Sequence, residues 1–207
     1  MYTEREPRKA LHRLQLGIKR LFDVLVSLLV LILGLPLFAI LAVLVRLSSP
    51  GPVFFVQERA GKDGRPFRIY KFRTMTVAPP GYQTTRWNAA EEARITPIGG
   101  FLRDYGLDEL PQAINILKGD MSVVGPRPRL PMQVRDYDER QRKVFQMRPG
   151  IVCLSAFQGR RSIPVEARIE LQVQYVETWS LWLDLVILAR TIPVVLGRKD
   201  ARDILAS

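Results

Sequence analysis

An uncharged, strongly apolar stretch near the start of the chain limits the possible folds more than any other feature. It runs from Val24 to Val45, with Asp23 before it and Arg46 after it. A straight helix of about 22 residues measures about 33 Å, enough to cross a hydrocarbon core of roughly 30 Å. A cleaved signal peptide fits poorly, because its apolar core is usually only about 7 to 15 residues long. We therefore predict a membrane helix.

Pro36 and the flanking charges argue against a simple crossing of the bilayer. Pro36 has no amide hydrogen to bond to the carbonyl of Ile32, so it tends to kink a helix. Basic flanks prefer the cytoplasmic side, and a straight crossing would carry one flank through the bilayer. A helix that breaks at Pro36 and returns to the same face satisfies both observations; a single crossing with a tolerated proline is the alternative. The basic flanking residues are Arg5, Arg8, Lys9, Arg13, Lys19 and Arg20 before the stretch, and Arg46, Arg59, Lys62, Arg65, Arg68, Lys71 and Arg73 after it.

The charge and the scarcity of Cys and His limit the chemistry. With 31 Lys and Arg against 20 Asp and Glu, the net charge of +11 indicates an anionic partner: nucleic acid, phospholipid headgroups or a phosphorylated substrate. The single cysteine, Cys153, and the single histidine, His12, exclude a disulfide framework and a Cys/His zinc site within one chain. Catalysis would therefore rest on carboxylates, Lys, Arg or a metal bound by oxygen.

The remainder of the chain reads as short strands followed by helices. Val53 to Val56 and Phe67 to Tyr70, separated by the turn from Gly61 to Gly64, predict a β-hairpin. We expect loops at residues 78–81 and 96–100. Further helices are predicted at residues 165–175 and 179–196, the second with an aromatic stripe that suits either the bilayer interface or the protein core. The stripe comprises Trp179, Trp182, Leu183, Val186, Ile187 and Arg190.

A short predicted helix after Leu107 begins with two acidic residues, Asp108 and Glu109. Asp108 suits its N-cap and Gly119 suits its end, and acidic residues stabilise a helix start by roughly 0.3 to 1 kcal/mol. A chemical role is the other explanation, because arginines and a further acid surround the pair, as expected of a phosphate site with a metal. These charged neighbours are Arg103, Asp120, Arg127 and Arg129.

The two carboxylates would have different roles, because adjacent residues on a helix point about 100° apart. An aspartate can act as a nucleophile toward phosphorus, Mg²⁺ would neutralise a diphosphate, and arginines would bind phosphate oxygens. The competing hypothesis is a non-catalytic basic membrane protein that binds anionic lipid or nucleic acid, with Asp108 and Glu109 only capping a helix. Acidic residues beside arginines are a poor surface for nucleic acid, so we expect no nucleic-acid partner.

Several motifs in one order resemble the bacterial polyprenyl-phosphate sugar-1-phosphate transferases, in particular the small monotopic members. The resemblance extends from about Lys19 to Gly197. It rests on LDELPQ at residues 107–112, NILKGDMS at 115–122, VGPRP at 124–128, KFRTM at 71–75, RPG at 148–150 and SLWLD at 180–184.

The resemblance implies an α/β, mostly helical, monotopic membrane protein with a re-entrant helix kinked at Pro36, interfacial amphipathic helices and a small β-hairpin. Residues 1–48 would form a basic leader and the membrane helix, and residues 49–207 a catalytic domain on the cytoplasmic face. The expected location is the bacterial inner membrane, in contact with its phospholipids. The chain could also form a homo-oligomer through the surface near Trp179 and Trp182.

The resemblance also implies the reaction. A sugar-1-phosphate would pass from a UDP-sugar to polyprenyl (undecaprenyl) phosphate through a phosphosugar-aspartyl intermediate, releasing UMP, as the first membrane step of glycoconjugate synthesis. Asp108 would be the nucleophile and would bind Mg²⁺, and Glu109 would assist. The implied substrate contacts are Arg103, Pro126, Arg127, Pro128, Lys71, Arg73, Arg148 and Gln158.

One segment departs from the family pattern. After Arg148-Pro149-Gly150, many relatives carry a glutamine at the position of Ala156, within the stretch from Cys153 to Gln158. Gln158 could replace that glutamine. No residue identifies the sugar or the pathway.

Overall fold

The computed structural model describes residues 5–78, 89–154 and 164–196, and this part of the chain is mostly helical with two small sheets. Three of the four residues of the loop predicted at 78–81 lie outside it. Short 3₁₀ turns occupy Lys62–Gly64, Leu107–Glu109, Pro131–Gln133 and Gln141–Gln146. The helices and strands are α1 (Arg5–Ser48), β1 (Phe54–Ala60), β2 (Pro66–Phe72), α2 (Ala89–Ala93), α3 (Pro97–Asp104), α4 (Gln112–Lys118), β3 (Ser122–Val124), β4 (Gly150–Val152), α5 (Val165–Thr178) and α6 (Leu181–Leu196).

Helix α1 contains the apolar stretch, and its part from Leu11 to Ser48 is long and apolar enough to cross a membrane. The helix continues through Pro36, so the proline does not end it. The re-entrant course of this helix stays a prediction. Large apolar side chains in its middle are open to the surroundings: Leu33, for example, is 71% exposed. The protein itself does not cover this part of α1, as expected of a segment in lipid.

Both ends of the apolar stretch are fixed to the rest of the protein. At its start, the carboxylate of Asp23 accepts hydrogen bonds from the Ser122 hydroxyl at 3.0 Å and the Val123 amide at 2.9 Å. At its end, Leu41 and Val45 pack against Phe72 and Leu102 in a cluster whose buried members are these four residues. The folded domain therefore contacts α1 on both sides of the exposed middle.

The predicted hairpin is confirmed and is longer than its sequence signal. Strands β1 and β2 pair antiparallel over their full lengths, and the backbone of Asp63 reverses the chain with a positive φ of 56°. Arg59 lies opposite Phe67, whereas the neighbouring pair is Glu58 and Arg68. Since successive residues of a strand face opposite sides, Arg59 and Arg68 lie on different faces of the hairpin.

Helix α3 occupies residues that were predicted to be a loop, so that prediction is wrong. Its N-cap is Thr96, whose hydroxyl accepts a hydrogen bond from the Gly99 amide at 3.0 Å, and Pro97 follows in the first turn. A Cβ atom on Gly99 would lie 1.9 Å from the carbonyl oxygen of Thr74. Glycine is therefore required for close packing against the segment after β2, and it does not mark a loop here.

A second, parallel sheet pairs β3 with β4, aligning Ser122 with Gly150 and Val124 with Val152. Beside it, Gly125 and Gly150 meet so closely that a Cβ on Gly150 would lie 2.1 Å from the Gly125 nitrogen. Two glycines thus hold the Pro126 turn against the Arg148-Pro149-Gly150 segment.

The aromatic stripe predicted for a helix at residues 179–196 is divided between core and surface, and Trp179 lies between α5 and α6. Trp179 and Ile187 are buried with Tyr175 and Leu154 in one cluster, so Trp179 and Ile187 belong to the protein core. Trp182 is 72% exposed. An interfacial role stays a prediction for Trp182.

Candidate active site

Asp108 and Glu109 lie in the 3₁₀ turn that precedes α4, and Gly106 enters that turn with a positive φ of 68°. The prediction that Asp108 caps the following helix is wrong: α4 begins only at Gln112, and no side chain caps it. Gly119 does end α4 in the left-handed conformation, as predicted. The acidic pair therefore does not owe its position to helix capping.

The carboxyl group of Asp108 is buried and incompletely satisfied. Asp108 is 5% exposed, and its Oδ1 atom has no hydrogen-bond partner within the described part of the chain. Burial first, and then the charge of Glu109, raise the pKa of Asp108 to about 7, against the opposing effects of Lys71 and Arg103. A buried carboxylate with an unsatisfied oxygen destabilises a fold. Such groups are therefore kept mainly where function needs them, that is, at functional sites.

Glu109 has a different environment from Asp108, in agreement with separate roles for the two. Its Oε1 atom lies 2.6 Å from Nζ of Lys71, and the side chains of the pair are 5% and 17% exposed, respectively. Lys71 reaches the turn from β2, which packs against it. The predicted site residue Lys71 is thus present beside the acidic pair.

Arg103 approaches the same turn from α3. Its Nε donates to the Thr74 hydroxyl at 2.9 Å, and Nη2 lies 3.3 Å from the sulfur of Met75. Burial lowers the pKa of Arg103, while the charge of Asp108 raises it. Glycine at position 99 is what allows α3 to bring this cation close to Asp108.

The Pro126-Arg127-Pro128 turn lies beside the end of the hairpin. Its Pro126 carbonyl accepts the Gly150 amide at 2.9 Å, and its Pro128 carbonyl lies 3.4 Å from Nη1 of Arg59. The turn lines a small, partly enclosed cleft. The residues of that cleft are Ala60, Gly61, Pro126, Arg127, Arg129, Val134, Val144, Phe145, Met147 and Pro149.

Two predicted substrate contacts, Arg73 and Arg148, have structural partners. Arg73 is 5% exposed, and its guanidinium donates to the carbonyls of Val45, Ser49 and Pro50 at the end of α1. Arg148 donates from Nε to the carbonyl of Gly119 at 2.8 Å and so holds the end of α4. Arg73 therefore supports the end of α1, and a substrate contact by Arg148 stays a prediction.

The remaining residues divide between those outside the described structure and those that sequence reasoning missed. Gln158 lies outside the described residues, as does the altered segment from position 155 onward. Thr74 was missed although it lies within the KFRTM motif. Arg59, predicted only as a basic flanking residue, lies beside the Pro126-Arg127-Pro128 turn because the hairpin packs on the segment after β3.

The donor set fits a magnesium ion that is shared with a substrate. Within the described residues, no group of three or more His, Cys, Asp or Glu could hold a metal ion. Mg²⁺ is commonly bound by one or two carboxylates together with substrate phosphates. The unpartnered Oδ1 of Asp108, beside Glu109, is a ligand arrangement of that kind.

The sequence comparisons identify the family. The family model described as "Bacterial sugar transferase" matches residues 14–198. The exopolysaccharide production protein ExoY of Rhizobium meliloti is 39% identical over 193 residues, which cover 86% of this chain and 84% of that protein. The UDP-glucose:undecaprenyl-phosphate glucose-1-phosphate transferase of Caulobacter vibrioides is 38% identical, covering 88% of this chain and 71% of that protein.

A third relative carries a different sugar in its name. The UDP-galactose-lipid carrier transferase of Erwinia amylovora is 36% identical over 198 residues, which cover 89% of this chain and 41% of that protein. These matches confirm the resemblance found in the motifs and exclude the non-catalytic alternative. The chain is an enzyme of the bacterial sugar transferase family.

Proposed function

We propose that the protein transfers a sugar-1-phosphate from a UDP-sugar to polyprenyl phosphate, with Asp108 as the nucleophile. The observation that carries this proposal is the buried Asp108 carboxyl group, whose Oδ1 atom has no partner in the described structure and on which the charges of Lys71 and Arg103 act. Relatives named for UDP-glucose and UDP-galactose support a UDP-sugar donor.

In the first step, a carboxylate oxygen of Asp108 attacks the phosphorus that carries the sugar. A new bond forms between that oxygen and phosphorus, and the bond from the same phosphorus to the oxygen bridging the two phosphates breaks. The bridging oxygen keeps the electron pair and leaves as part of UMP. Arg103 would bind the attacked phosphate, as guanidinium groups do in a bidentate manner.

In the second step, an oxygen of polyprenyl phosphate attacks the same phosphorus. The bond to Asp108 breaks and its electron pair returns to the carboxylate, so no net proton transfer is required. Lys71 holds Glu109 at 2.6 Å, which fixes that carboxylate beside the reacting atoms. Bound Mg²⁺ would offset the charge repulsion between the carboxylates and the diphosphate.

The two-step course makes a direct prediction. With the purified protein, Mg²⁺ and no lipid acceptor, radiolabelled UMP should exchange into the UDP-sugar that is the true donor, because the first step is reversible by itself. The measurement is label in the UDP-sugar after chromatography, across a panel of UDP-sugars. Adding polyprenyl phosphate should convert exchange into net UMP release. Release of UDP in place of UMP would contradict the proposed chemistry.

We further propose that α1 enters and leaves the bilayer on the same, cytoplasmic, face. Asp23 at one end of the apolar stretch bonds to β3, and Val45 at the other end packs against the hairpin and α3. A straight crossing would put these ends about 33 Å apart on opposite sides of the membrane. A single folded domain that contacts both ends supports a helix that bends back, with Pro36 near the bend.

Labelling with a membrane-impermeant maleimide tests this topology. In a Cys153→Ser background, single cysteines at the exposed positions Arg13 and Asp63 should label from the same side of sealed vesicles. A cysteine at Leu33, which is 71% exposed in the protein alone, should resist labelling until detergent is added. Labelling of Arg13→Cys and Asp63→Cys from opposite sides would show a single crossing.

A further inference from the structure

We propose that Arg59, Arg127 and Arg129 form a second phosphate site, which holds the phosphate of the nucleoside monophosphate that leaves the donor. This inference deepens the proposed function and rests on it for the identity of the ligand. It adds Arg59 and Arg129 to the residues that bind substrate, and it separates the phosphate that is attacked, beside Arg103, from the phosphate that leaves.

The three arginines come together because the hairpin meets the segment after β3. The Ala60 amide donates to the carbonyl of Arg129 at 2.8 Å, and Nη1 of Arg59 lies 3.4 Å from the carbonyl of Pro128. Arg127 and Arg129 both line the cleft, and the carbonyl that Arg59 reaches belongs to Pro128, the residue between them. The hairpin and the segment after β3 therefore bring three arginines to one place.

Arg59 and Arg129 are partly buried beside another arginine, and a bound anion would offset the repulsion between these cations. Nη2 of Arg59 donates to Oε1 of Gln57 at 2.7 Å, but the buried Nε atoms of Arg59 and Arg129 have no hydrogen-bond partner within the described residues. Burial, and then repulsion from Arg127, lower the pKa of Arg59 to about 10, while Glu109 opposes this shift. Burial also lowers the pKa of Arg129, and Arg127 and Arg168 add to that effect. Like charges held together out of water destabilise a fold unless an anion joins them.

The position of the group favours the phosphate of the nucleotide over that of the lipid. Glu109 is among the charges that act on Arg59, so the cluster adjoins the acidic pair. The cleft is lined by Val144 and Phe145, which belong to a core cluster with no α1 residue among its members. Helix α1 contributes Leu41 to a different cluster. The arginines thus lie beside the acidic pair and beside apolar residues that α1 does not join, which favours the nucleotide over the lipid.

The chemistry of the first step explains why several arginines are useful there. When the bond between phosphorus and the bridging oxygen breaks, its electron pair moves onto that oxygen, and UMP becomes a phosphate monoester with additional negative charge. Fixed cations beside this oxygen stabilise the transition state, because the charge develops where donors already point.

The test compares Arg59→Gln and Arg129→Gln with Arg68→Gln, using the full chain in detergent. Arg68 is a matched control, because it is an exposed arginine of the same hairpin on the opposite face. UMP binding measured by calorimetry should weaken about tenfold or more in the first two variants and stay unchanged in the third, as charge-assisted hydrogen bonds are lost. Uridine binding should not change. The KM for the UDP-sugar should rise while that for polyprenyl phosphate stays constant.

Arg59→Lys separates the loss of phosphate binding from a loss of folding. It keeps the charge, so it should melt close to the wild type and bind UMP with an affinity between those of the wild type and Arg59→Gln. Equal UMP affinity in the wild type and both glutamine variants would overturn the inference, as would a rise confined to the KM for polyprenyl phosphate. Loss of UMP binding in the variants, in a protein that exchanges no UMP into any UDP-sugar, would support the phosphate site and refute the transfer reaction.

Discussion

Asp108→Asn is expected to abolish UMP exchange and UMP release while raising the melting temperature of the protein. An amide does not form the phosphosugar intermediate, so the loss should be on the order of 10³-fold or more, as when other covalent nucleophiles are removed. Exchange with labelled UMP measures the first step alone and therefore tests Asp108 without any contribution from the lipid acceptor.

The expected gain in stability follows from the sign of the pKa shift. The pKa of Asp108 rises from 3.8 to about 7 on folding, chiefly through burial. Its contribution to stability is therefore fully present below about pH 4 and is lost as the pH rises through about 7. Asparagine does not ionise, so the melting temperature of the variant should exceed that of the wild type by a margin that grows between pH 4 and pH 7. Each kcal/mol corresponds to about 2 to 4 °C in a chain of this size.

Asp63→Asn is the matched control for this experiment. Asp63 lies exposed in the hairpin turn with a φ of 56°, a conformation that asparagine tolerates. This variant should keep wild-type exchange and show no pH-dependent gain in melting temperature. A lower melting temperature for Asp108→Asn, measured with chelator present, would mean that Asp108 has a structural role after all.

Lys19→Met is expected to have the largest effect on stability. The Nζ atom of Lys19 lies 2.6 Å from Oδ2 of Asp184 and donates to the Val124 carbonyl at 2.8 Å, and the side chains of this ion pair are both 9% exposed. Tyr175 and Trp179 also donate to Asp184. Removing the cation leaves a buried carboxylate without its countercharge, which costs about 3 to 5 kcal/mol. The melting temperature in detergent should therefore fall by about 10 °C or more.

A second substitution separates charge from packing in this ion pair. Adding Asp184→Asn to Lys19→Met removes the uncompensated charge, so the double variant should regain part of the lost stability. Arg13→Met, at an exposed position of the same helix, should leave the melting temperature unchanged. If Lys19→Met melts like the wild type, the buried pair does not anchor α1 to α6.

Local signals in the sequence predicted the elements that depend on neighbouring residues. The apolar stretch of α1, the hairpin around Asp63 and the glycine at position 119 that ends α4 all follow from patterns within a few positions. The family motifs led to Asp108 and Glu109. These features could be identified because their physical causes lie close together in the chain.

The features that were missed depend on contacts between distant segments. Gly99 read as a loop residue, but its lack of a side chain serves the contact with Thr74. Arg73 read as a substrate contact, but the carbonyls at the end of α1 occupy its guanidinium. The unpartnered oxygen of Asp108 likewise results from packing around the turn, which no local pattern describes.

The attachment of α1 at both ends of its apolar stretch has a consequence for how the acceptor is found. In the proposed topology, with Asp23 and Val45 each fixed to the domain, the turn that carries Asp108 would stay at one depth relative to the lipid. The acceptor phosphate would then have to come to that depth by lateral diffusion within the leaflet. The quantity that sets the encounter rate is then the surface density of the acceptor, because the search for it is two-dimensional.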